Sequence, residues 1–155
     1  MNYSFHPMSR RQAEEIASWH YDGEYSFYDM EADPEDLQEF LKPDERADSN
    51  FAVIENRELI GFYCFTQISN DTIDIGLGMK PSFTGKGQGL EFLEAGLDFA
   101  KSLYHPEKLT LSVAAFNKRA IKVYKRAGFR EEETFLQKTN GSQFEFVKMK
   151  LALIR

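Results

Sequence analysis

The segment Thr84-Gly85-Lys86-Gly87-Gln88-Gly89 places three glycines directly before a predicted helix. An apolar strand predicted over residues 72–79 precedes it, and leucines at helical spacing follow it through residue 103. Glycines in such a turn leave successive backbone N–H groups uncovered by side chains. The unpaired amides of a helix N-terminus and the helix dipole both favour an anion there, and Lys86 adds a positive charge. The segment therefore predicts an anion site that suits a diphosphate.

The spacing of the glycines separates the known kinds of phosphate loop. A Walker loop needs G-x-x-x-x-G-K-[ST], which residues 85–90 do not supply. A Rossmann fingerprint needs G-x-G-x-x-G after the first strand of a βαβ unit, whereas these glycines follow a mid-chain strand at G-x-G-x-G spacing. On this segment alone, a glycine-rich turn that binds no ligand remains an alternative.

A second pattern follows another predicted strand, which covers residues 109–113. Asn117 is a favourable N-cap for the short helix that comes next, and Gly128 lies just beyond its end, where helix C-termini favour glycine. One face of this helix is predicted to consist of Ala120, Val123 or Tyr124, and Ala127.

Together the two patterns resemble the GNAT superfamily of N-acetyltransferases. Residues 84–89 resemble its acyl-coenzyme A loop, [QR]-x-x-G-x-[GA], and the run from Asn117 through Tyr124 to Phe129 resembles its second signature, N-x-x-A-x-x-x-Y-x-x-x-G-[FY]. The resemblance covers residues 72–129. Thr84 departs from the family's usual Gln or Arg, and its shorter, uncharged side chain weakens the assignment at that position.

The order of predicted elements agrees with this family. A strand over residues 2–5 is followed by a helix opened by a Ser9–Gln12 capping box, and by a second helix from Asp33-Pro34 to Pro43. Strands over residues 51–54 and 59–68 come before the first motif, and a hairpin of residues 135–138 and 144–151 closes the chain. The resemblance implies an α/β (α+β) GNAT fold. Its mixed, mostly antiparallel sheet of six to seven strands would be flanked by about four helices and split between the fourth and fifth strands. A single domain is expected over residues 1–155.

The resemblance also implies acetyl-coenzyme A as the acyl donor and assigns residues to it. Backbone amides of the glycine loop would bind the diphosphate, and the backbone of β-strand residues 77 and 79 would bind the pantetheine arm and the thioester carbonyl. The predicted donor-binding residues are Leu77, Met79, Thr84, Gly85, Lys86, Gly87, Gln88, Gly89, Asn117 and Tyr124.

Tyr124 matches the family tyrosine that serves as general acid toward the departing thiolate. A phenol with an ordinary pKa near 10 is protonated at neutral pH and can donate to a thiolate. Packing on the inner helix face is the structural alternative for this ring. Asp74, the carboxylate within the motif strand, is the candidate general base, and a solvent-facing position on an alternating strand is its alternative.

The acceptor side is expected in the connection between the first two helices. Its aromatic and acidic side chains could hold a cationic amine, although such a cluster more often forms a packed loop wall. The predicted acceptor-binding residues are Trp19, Tyr21, Glu24, Tyr25 and Tyr28.

Composition narrows the classes of partner. The net charge of −6, from 19 basic and 25 acidic side chains, argues against nucleic acid and mildly favours a cationic acceptor. Cys64 is the single cysteine, so an internal disulfide is excluded, and it is expected in the core. The scattered histidines suggest no metal site. Neither a signal peptide nor a membrane span is evident, so a cytoplasmic location is expected. The expected oligomeric state is a monomer or a homodimer.

The sequence thus predicts an N-acetyltransferase that moves an acetyl group from acetyl-coenzyme A to a primary amine of a small molecule, peptide or protein. A non-catalytic GNAT-like module that binds acyl-coenzyme A as a sensor is the alternative from another class. A loop that holds a nucleotide phosphate is a third hypothesis.

Overall fold

The computed structural model describes residues 2–32, 34–41 and 49–153. Within these residues the chain forms seven β-strands and four α-helices. The strands are β1 (Ser4–Pro7), β2 (Asn50–Glu55), β3 (Glu58–Gln67), β4 (Thr72–Met79), β5 (Lys108–Ala114), β6 (Arg130–Thr139) and β7 (Ser142–Ala152). The helices are α1 (Arg10–Ala17), α2 (Pro34–Leu41), α3 (Gly89–Tyr104) and α4 (Lys118–Arg126). Short 3₁₀ segments cover Gly23–Tyr28, Met30–Ala32 and Pro81–Phe83.

The strands form one mixed sheet in the order β1-β2-β3-β4-β5-β7-β6. β2 pairs antiparallel with β1 and β3, and β7 pairs antiparallel with β5. β4 and β5 are parallel, and their pairing runs only from Thr72 opposite Lys108 to Asp74 opposite Thr110. β4 continues to Met79, beyond the last residue that pairs with β5. The mixed sheet and the split between its fourth and fifth strands are therefore confirmed.

Contacts divide the chain into two compact units. The first comprises Met1–Cys64, Leu77–Thr84 and Thr139–Ser142, and the second comprises Phe65–Gly76, Gly85–Lys138 and Gln143–Arg155. β3 and β4 contribute residues to both.

The core of the first unit forms where α1, α2 and the first strands bury apolar side chains. The predicted capping box is present, since the Ser9 hydroxyl accepts the Gln12 N–H and the Gln12 side chain accepts the Ser9 N–H. The box sets where α1 begins, and Ala13, Ile16 and Ala17 form its buried face. The buried cluster consists of Met8, Ala13, Ile16, Trp19, Phe40, Ala52 and Leu59.

Cys64 lies at the edge of this core. It is partly buried against the cluster, and burial raises the pKa of its thiol to about 12, so the side chain behaves as an apolar group. The core position expected for the single cysteine is thus confirmed in part.

The core of the second unit lies under α3. The leucines predicted for one helix face are only partly buried: Leu93 and Leu97 are buried, Leu90 is half-buried and Leu103 is exposed. The buried face is completed by Phe92, Gly96 and Ala100. Leu109, Leu111 and Val113 of β5 are buried as well, because alternate residues of a strand point to the same side of a sheet.

Several element boundaries differ from the sequence predictions. β1 begins at Ser4 instead of Asn2, and the closing hairpin is longer at both ends, from Arg130 to Ala152. The added residues of β6 show no apolar alternation that would have predicted them. Ion pairs from Glu132 to Lys148 and Lys150 connect this part of β6 to β7. The expected helix start at Asp33 and stop at Pro43 lie outside the described residues.

The hairpin turn itself is confirmed. Asn140 and Gly141 both have positive φ, at 51° and 79°, as a two-residue type I′ turn requires. No described helix is long and apolar enough to cross a membrane.

Gly78 of β4 is explained by packing within the first unit. A β-carbon built on Gly78 would lie 2.5 Å from Cε1 of Phe62, whose ring contacts Trp19 at a centroid distance of 6.4 Å and Phe40 at 5.8 Å. Glycine at position 78 therefore allows the Phe62 ring to lie close to the β4 backbone.

We expect Gly78→Ala to destabilise the protein by about 1–3 kcal/mol, because Phe62 is held by other rings and cannot move away freely. Denaturant unfolding measures this change. Phe62→Leu removes the clashing ring atoms, so the double variant should be less destabilised than the sum of the two single variants. Simple additivity would contradict the contact.

Candidate active site

The glycine turn leads directly into α3, as the sequence predicted. α3 spans 16 residues from Gly89, and Gln88 occupies the N-cap position without a side-chain hydrogen bond to the helix. In this described part of the chain, the first amides of α3 thus have no side-chain cap. A long helix with an uncapped N-terminus concentrates positive potential there. The turn is suited to bind an anion.

The glycines at 85 and 87 are required by backbone conformation. Gly85 has φ of +71° and Gly87 has φ of +78°, values that residues with a β-carbon rarely adopt. A β-carbon at Gly87 would meet no atom within 4 Å, whereas one at Gly85 would lie 3.3 Å from Nη1 of Arg119. The turn is therefore open above Gly87 and has a guanidinium group beside Gly85.

Arg119 is a further candidate site residue, which no sequence pattern indicated. It belongs to the Asn117 motif, but nothing in that pattern indicates that its side chain reaches Gly85. The contact depends on the packing of α4 near the start of α3, where a β-carbon on Gly89 would lie 3.5 Å from Cγ2 of Val123.

The hydroxyl and the N–H of Thr84 both donate to a nearby backbone carbonyl. Its hydroxyl donates to the Pro81 carbonyl at 2.8 Å, and its N–H donates to the same carbonyl at 3.2 Å. A hydroxyl has a single proton, so in this conformation Thr84 has none to donate to a phosphate. Arg119, which is charged, can supply a charge-assisted contact to a phosphate, whereas Thr84 cannot. Lys86 is exposed.

Asn117 and Tyr124 are positioned by α4. The Asn117 side chain is buried and its Oδ1 accepts the Ala120 N–H at 3.1 Å, which confirms the predicted N-cap. Tyr124 is half-buried and its ring meets Phe129 edge-on at 6.2 Å between centroids. The predicted inner face of α4 is only half-buried, and its fully buried residue is Ile121, which the sequence analysis left out.

Asp74 lies at the last paired position of β4 and β5. Its Oδ1 accepts the Thr110 hydroxyl at 2.7 Å, and the side chain is half-buried. Burial raises the pKa of Asp74, against the opposing effects of the Thr110 hydrogen bond and the Lys148 charge. The carboxylate is thus a stronger base than an exposed aspartate.

Two of the predicted acceptor residues are occupied by other contacts within the first unit. Trp19 is 7% exposed and belongs to the core cluster. Tyr21 is half-buried, and its hydroxyl donates to the Met79 carbonyl at 2.7 Å. These rings contribute to packing and to backbone positioning.

The other predicted acceptor residues lie on the 3₁₀ segment Gly23–Tyr28. Glu24 is exposed, and Tyr25 and Tyr28 are half-buried. The segment is held at its end by Asn140, whose Nδ2 donates to the Phe27 carbonyl at 2.8 Å. These three side chains remain the candidates for an acceptor surface. Among the described residues, no group of three or more His, Cys, Asp or Glu side chains could hold a metal ion.

Comparison with known proteins gives one domain match and several structural likenesses. A model of the acetyltransferase (GNAT) domain matches residues 4–130. No curated protein matches significantly. A chimeric spermidine N-acetyltransferase, built from SpeG of Vibrio cholerae and hSSAT, superposes with a TM-score of 0.80 at 19% identity, over 98% of this chain and 96% of that one.

Two further solved structures have the same fold. An acetyltransferase of the GNAT family from Bacillus anthracis superposes with a TM-score of 0.77 at 19% identity, over 98% of this chain and 95% of that one. Spermidine N-acetyltransferase from Vibrio cholerae, in complex with CoA and spermine, gives a TM-score of 0.77 at 19% identity, over 97% and 95% of the two chains.

At this level of identity the structural likenesses show a common fold alone. The domain match carries more, because it covers most of the chain and includes both the glycine turn and the Asn117–Tyr124 motif. The chain therefore belongs to the acetyltransferase (GNAT) family.

Proposed function

We propose that this protein is an acetyl-coenzyme A-dependent N-acetyltransferase that acetylates a primary amine. The observation that carries the proposal is the turn at residues 85–89, in which two left-handed glycines precede uncapped amides of α3 and the Arg119 guanidinium lies beside Gly85. This arrangement suits a diphosphate, the charged part of coenzyme A.

The donor is proposed to bind in two parts. Amides of Gly85, Gly87, Gln88 and Gly89 hold the diphosphate, with charge supplied by Arg119. The backbone of Leu77 and Met79 pairs with the pantetheine arm, and the Met79 N–H holds the thioester carbonyl, where negative charge develops during attack.

The proposed chemistry uses one acid and one base. Asp74 removes a proton from the acceptor ammonium, directly or through water, and the neutral amine attacks the thioester carbonyl. The C–S bond then breaks, and Tyr124 protonates the departing thiolate. The nitrogen loses its second proton as the amide forms, and this proton restores the Tyr124 phenol. The raised pKa of Asp74 supports its assignment as base.

A cationic amine is the proposed acceptor. The net charge of −6 and the exposed Glu24 beside the half-buried Tyr25 and Tyr28 favour a positively charged substrate. Because one solved relative of the same fold is a spermidine N-acetyltransferase in complex with CoA and spermine, polyamines are the first acceptors to test, followed by peptide amino groups. A cytoplasmic location, a single domain over residues 1–155 and a monomeric or homodimeric state stay predictions.

Donor binding can be tested through Arg119. Acetyl-coenzyme A should raise the melting temperature more than ATP or NAD, since a ligand stabilises the folded state that binds it. Arg119→Gln removes one charge-assisted contact and should weaken acetyl-coenzyme A binding about tenfold, measured by titration calorimetry. Lys122→Gln changes the same charge on an exposed face of α4 and should leave affinity unchanged. Equal effects of the two variants would contradict a specific contact.

Tyr124 separates an enzyme from a non-catalytic sensor. The wild-type protein should release coenzyme A thiol from acetyl-coenzyme A when a suitable amine is present. Tyr124→Phe removes the proton donor and should lower kcat about 100-fold or more, while the Kd of acetyl-coenzyme A changes little. Tight binding of acetyl-coenzyme A by the wild type without turnover of any amine would favour the sensor.

Asp74→Asn should lower kcat and, at neutral pH, raise the free energy of unfolding. Because burial raises the folded-state pKa of Asp74, the ionised carboxylate destabilises the native state once pH exceeds its ordinary value. Asparagine has no such dependence, so the stabilisation should vanish at about pH 3, where Asp74 is protonated in both states.

Asp71→Asn provides the matched control with the opposite sign. Hydrogen bonds from Thr72 and Ser69 lower the pKa of Asp71 to about 2, so its ionised form stabilises the folded protein. This variant should lose stability at neutral pH, and the loss should fade as pH falls toward that pKa, with kcat unchanged. Chemical unfolding at several pH values checks both aspartates, and destabilisation by Asp74→Asn at neutral pH would contradict the burial argument.

A further inference from the structure

Tyr21 is fixed through both its backbone and its side chain. Its N–H donates to Asp29 Oδ1 at 2.8 Å, and the other Asp29 oxygen lies 3.0 Å from Nδ1 of His20. Its hydroxyl donates to the Met79 carbonyl at 2.7 Å. The ring also packs against the core cluster of the first unit. The phenol thus reaches the end of β4 from a segment that is held by hydrogen bonds and by packing.

The peptide group that follows Met79 is held at both of its polar atoms. Its carbonyl oxygen accepts the Tyr21 hydroxyl, and its N–H, which belongs to Lys80, donates to the Ile60 carbonyl at 2.7 Å. A peptide group is planar, so two hydrogen bonds on its opposite edges determine its orientation. The backbone is thereby set at the residue where β4 ends.

The Met79 N–H lies on the other side of the Met79 Cα from this held peptide. It belongs to the preceding peptide group, and only the rotations about the Met79 Cα separate the two planes. Fixing the carbonyl side therefore limits the directions in which the N–H can point. Under the proposed function, this N–H holds the thioester carbonyl.

We propose that Tyr21 is a positioning residue for acetyl transfer, which holds the Met79–Lys80 peptide so that the Met79 N–H stays directed at the thioester carbonyl. The proposal rests on the proposed function and deepens it. It differs from the predicted role of Tyr21 as an acceptor-binding ring, since the hydroxyl donates to the Met79 carbonyl and the ring packs against the core cluster.

The environment keeps this phenol a donor. Burial raises the pKa of Tyr21, and the negative charge of Asp29 raises it further, so the hydroxyl stays protonated throughout the physiological range. The hydrogen bond to Met79 is accordingly present whenever the enzyme is folded and neutral at this residue.

The Tyr21→Phe variant tests the proposal, because it keeps the ring and removes only the hydroxyl. We expect kcat to fall between about tenfold and 100-fold, less than or equal to the loss of a direct oxyanion donor. The Kd of free coenzyme A should change less than twofold, since coenzyme A has no thioester carbonyl. Tyr104→Phe is the matched control: it removes the same atom from the last turn of α3 and should change neither quantity.

Two results would overturn the proposal. One is an unchanged kcat in Tyr21→Phe, and the other is a loss of coenzyme A affinity in proportion to kcat, which a simple structural tether would produce. If Tyr21→Phe does not fold, Tyr21 is replaced by a difluorinated tyrosine, whose phenol ionises at lower pH. Its kcat should then decline at a lower pH than that of the wild type, and a coincident decline would also overturn the proposal.

Failure of the proposed function has a different signature. In that case the wild-type protein does not release coenzyme A from acetyl-coenzyme A with any amine, whether or not it binds the coenzyme. A wild type that turns over acetyl-coenzyme A, combined with an unaffected Tyr21→Phe variant, rejects the role of Tyr21 alone.

Discussion

The attraction between an anion and the uncapped amides of α3 is the interaction on which the proposed chemistry depends. It requires glycine at 85 and 87, where φ is positive, and it requires Gln88 to leave the helix start without a side-chain cap. α4 then contributes a guanidinium group from Arg119 at the same turn. Two helices of the second unit therefore create one positive site in a chain whose net charge is −6.

β4 pairs with β5 over only part of its length, and its candidate functional residues lie at the end of that pairing and beyond it. Its first residues pair with β5 as far as Asp74, and its last peptide is held by Ile60 and Tyr21. Asp74, at the end of the paired part, has a pKa raised mainly by burial, so at neutral pH its charge opposes folding. A charged group that opposes folding in this way is expected at a functional site.

The residues of the segment between α1 and α2 have two different roles, which the composition of the segment does not distinguish. Trp19 contributes to the core and Tyr21 to the backbone of β4, whereas Glu24 and the two tyrosines that follow it keep exposed or half-buried side chains. Asn140, at the tip of the last hairpin, holds the same segment through the Phe27 carbonyl. The acceptor surface that we propose is therefore supported from β4 and from the hairpin.

The sequence alone determined the family, the order of elements, the glycine turn, the caps at Ser9 and Asn117 and the Asn140–Gly141 turn, because each depends on residues close together in the chain. The first residues of β6 lack apolar alternation and were not predicted, although Glu132 there forms ion pairs with Lys148 and Lys150. Only the tertiary structure brought Arg119 to Gly85, the Phe62 ring to Gly78 and the Tyr21 hydroxyl to Met79. These contacts join residues far apart in sequence, and their direction depends on how helices and strands pack, which local patterns do not encode.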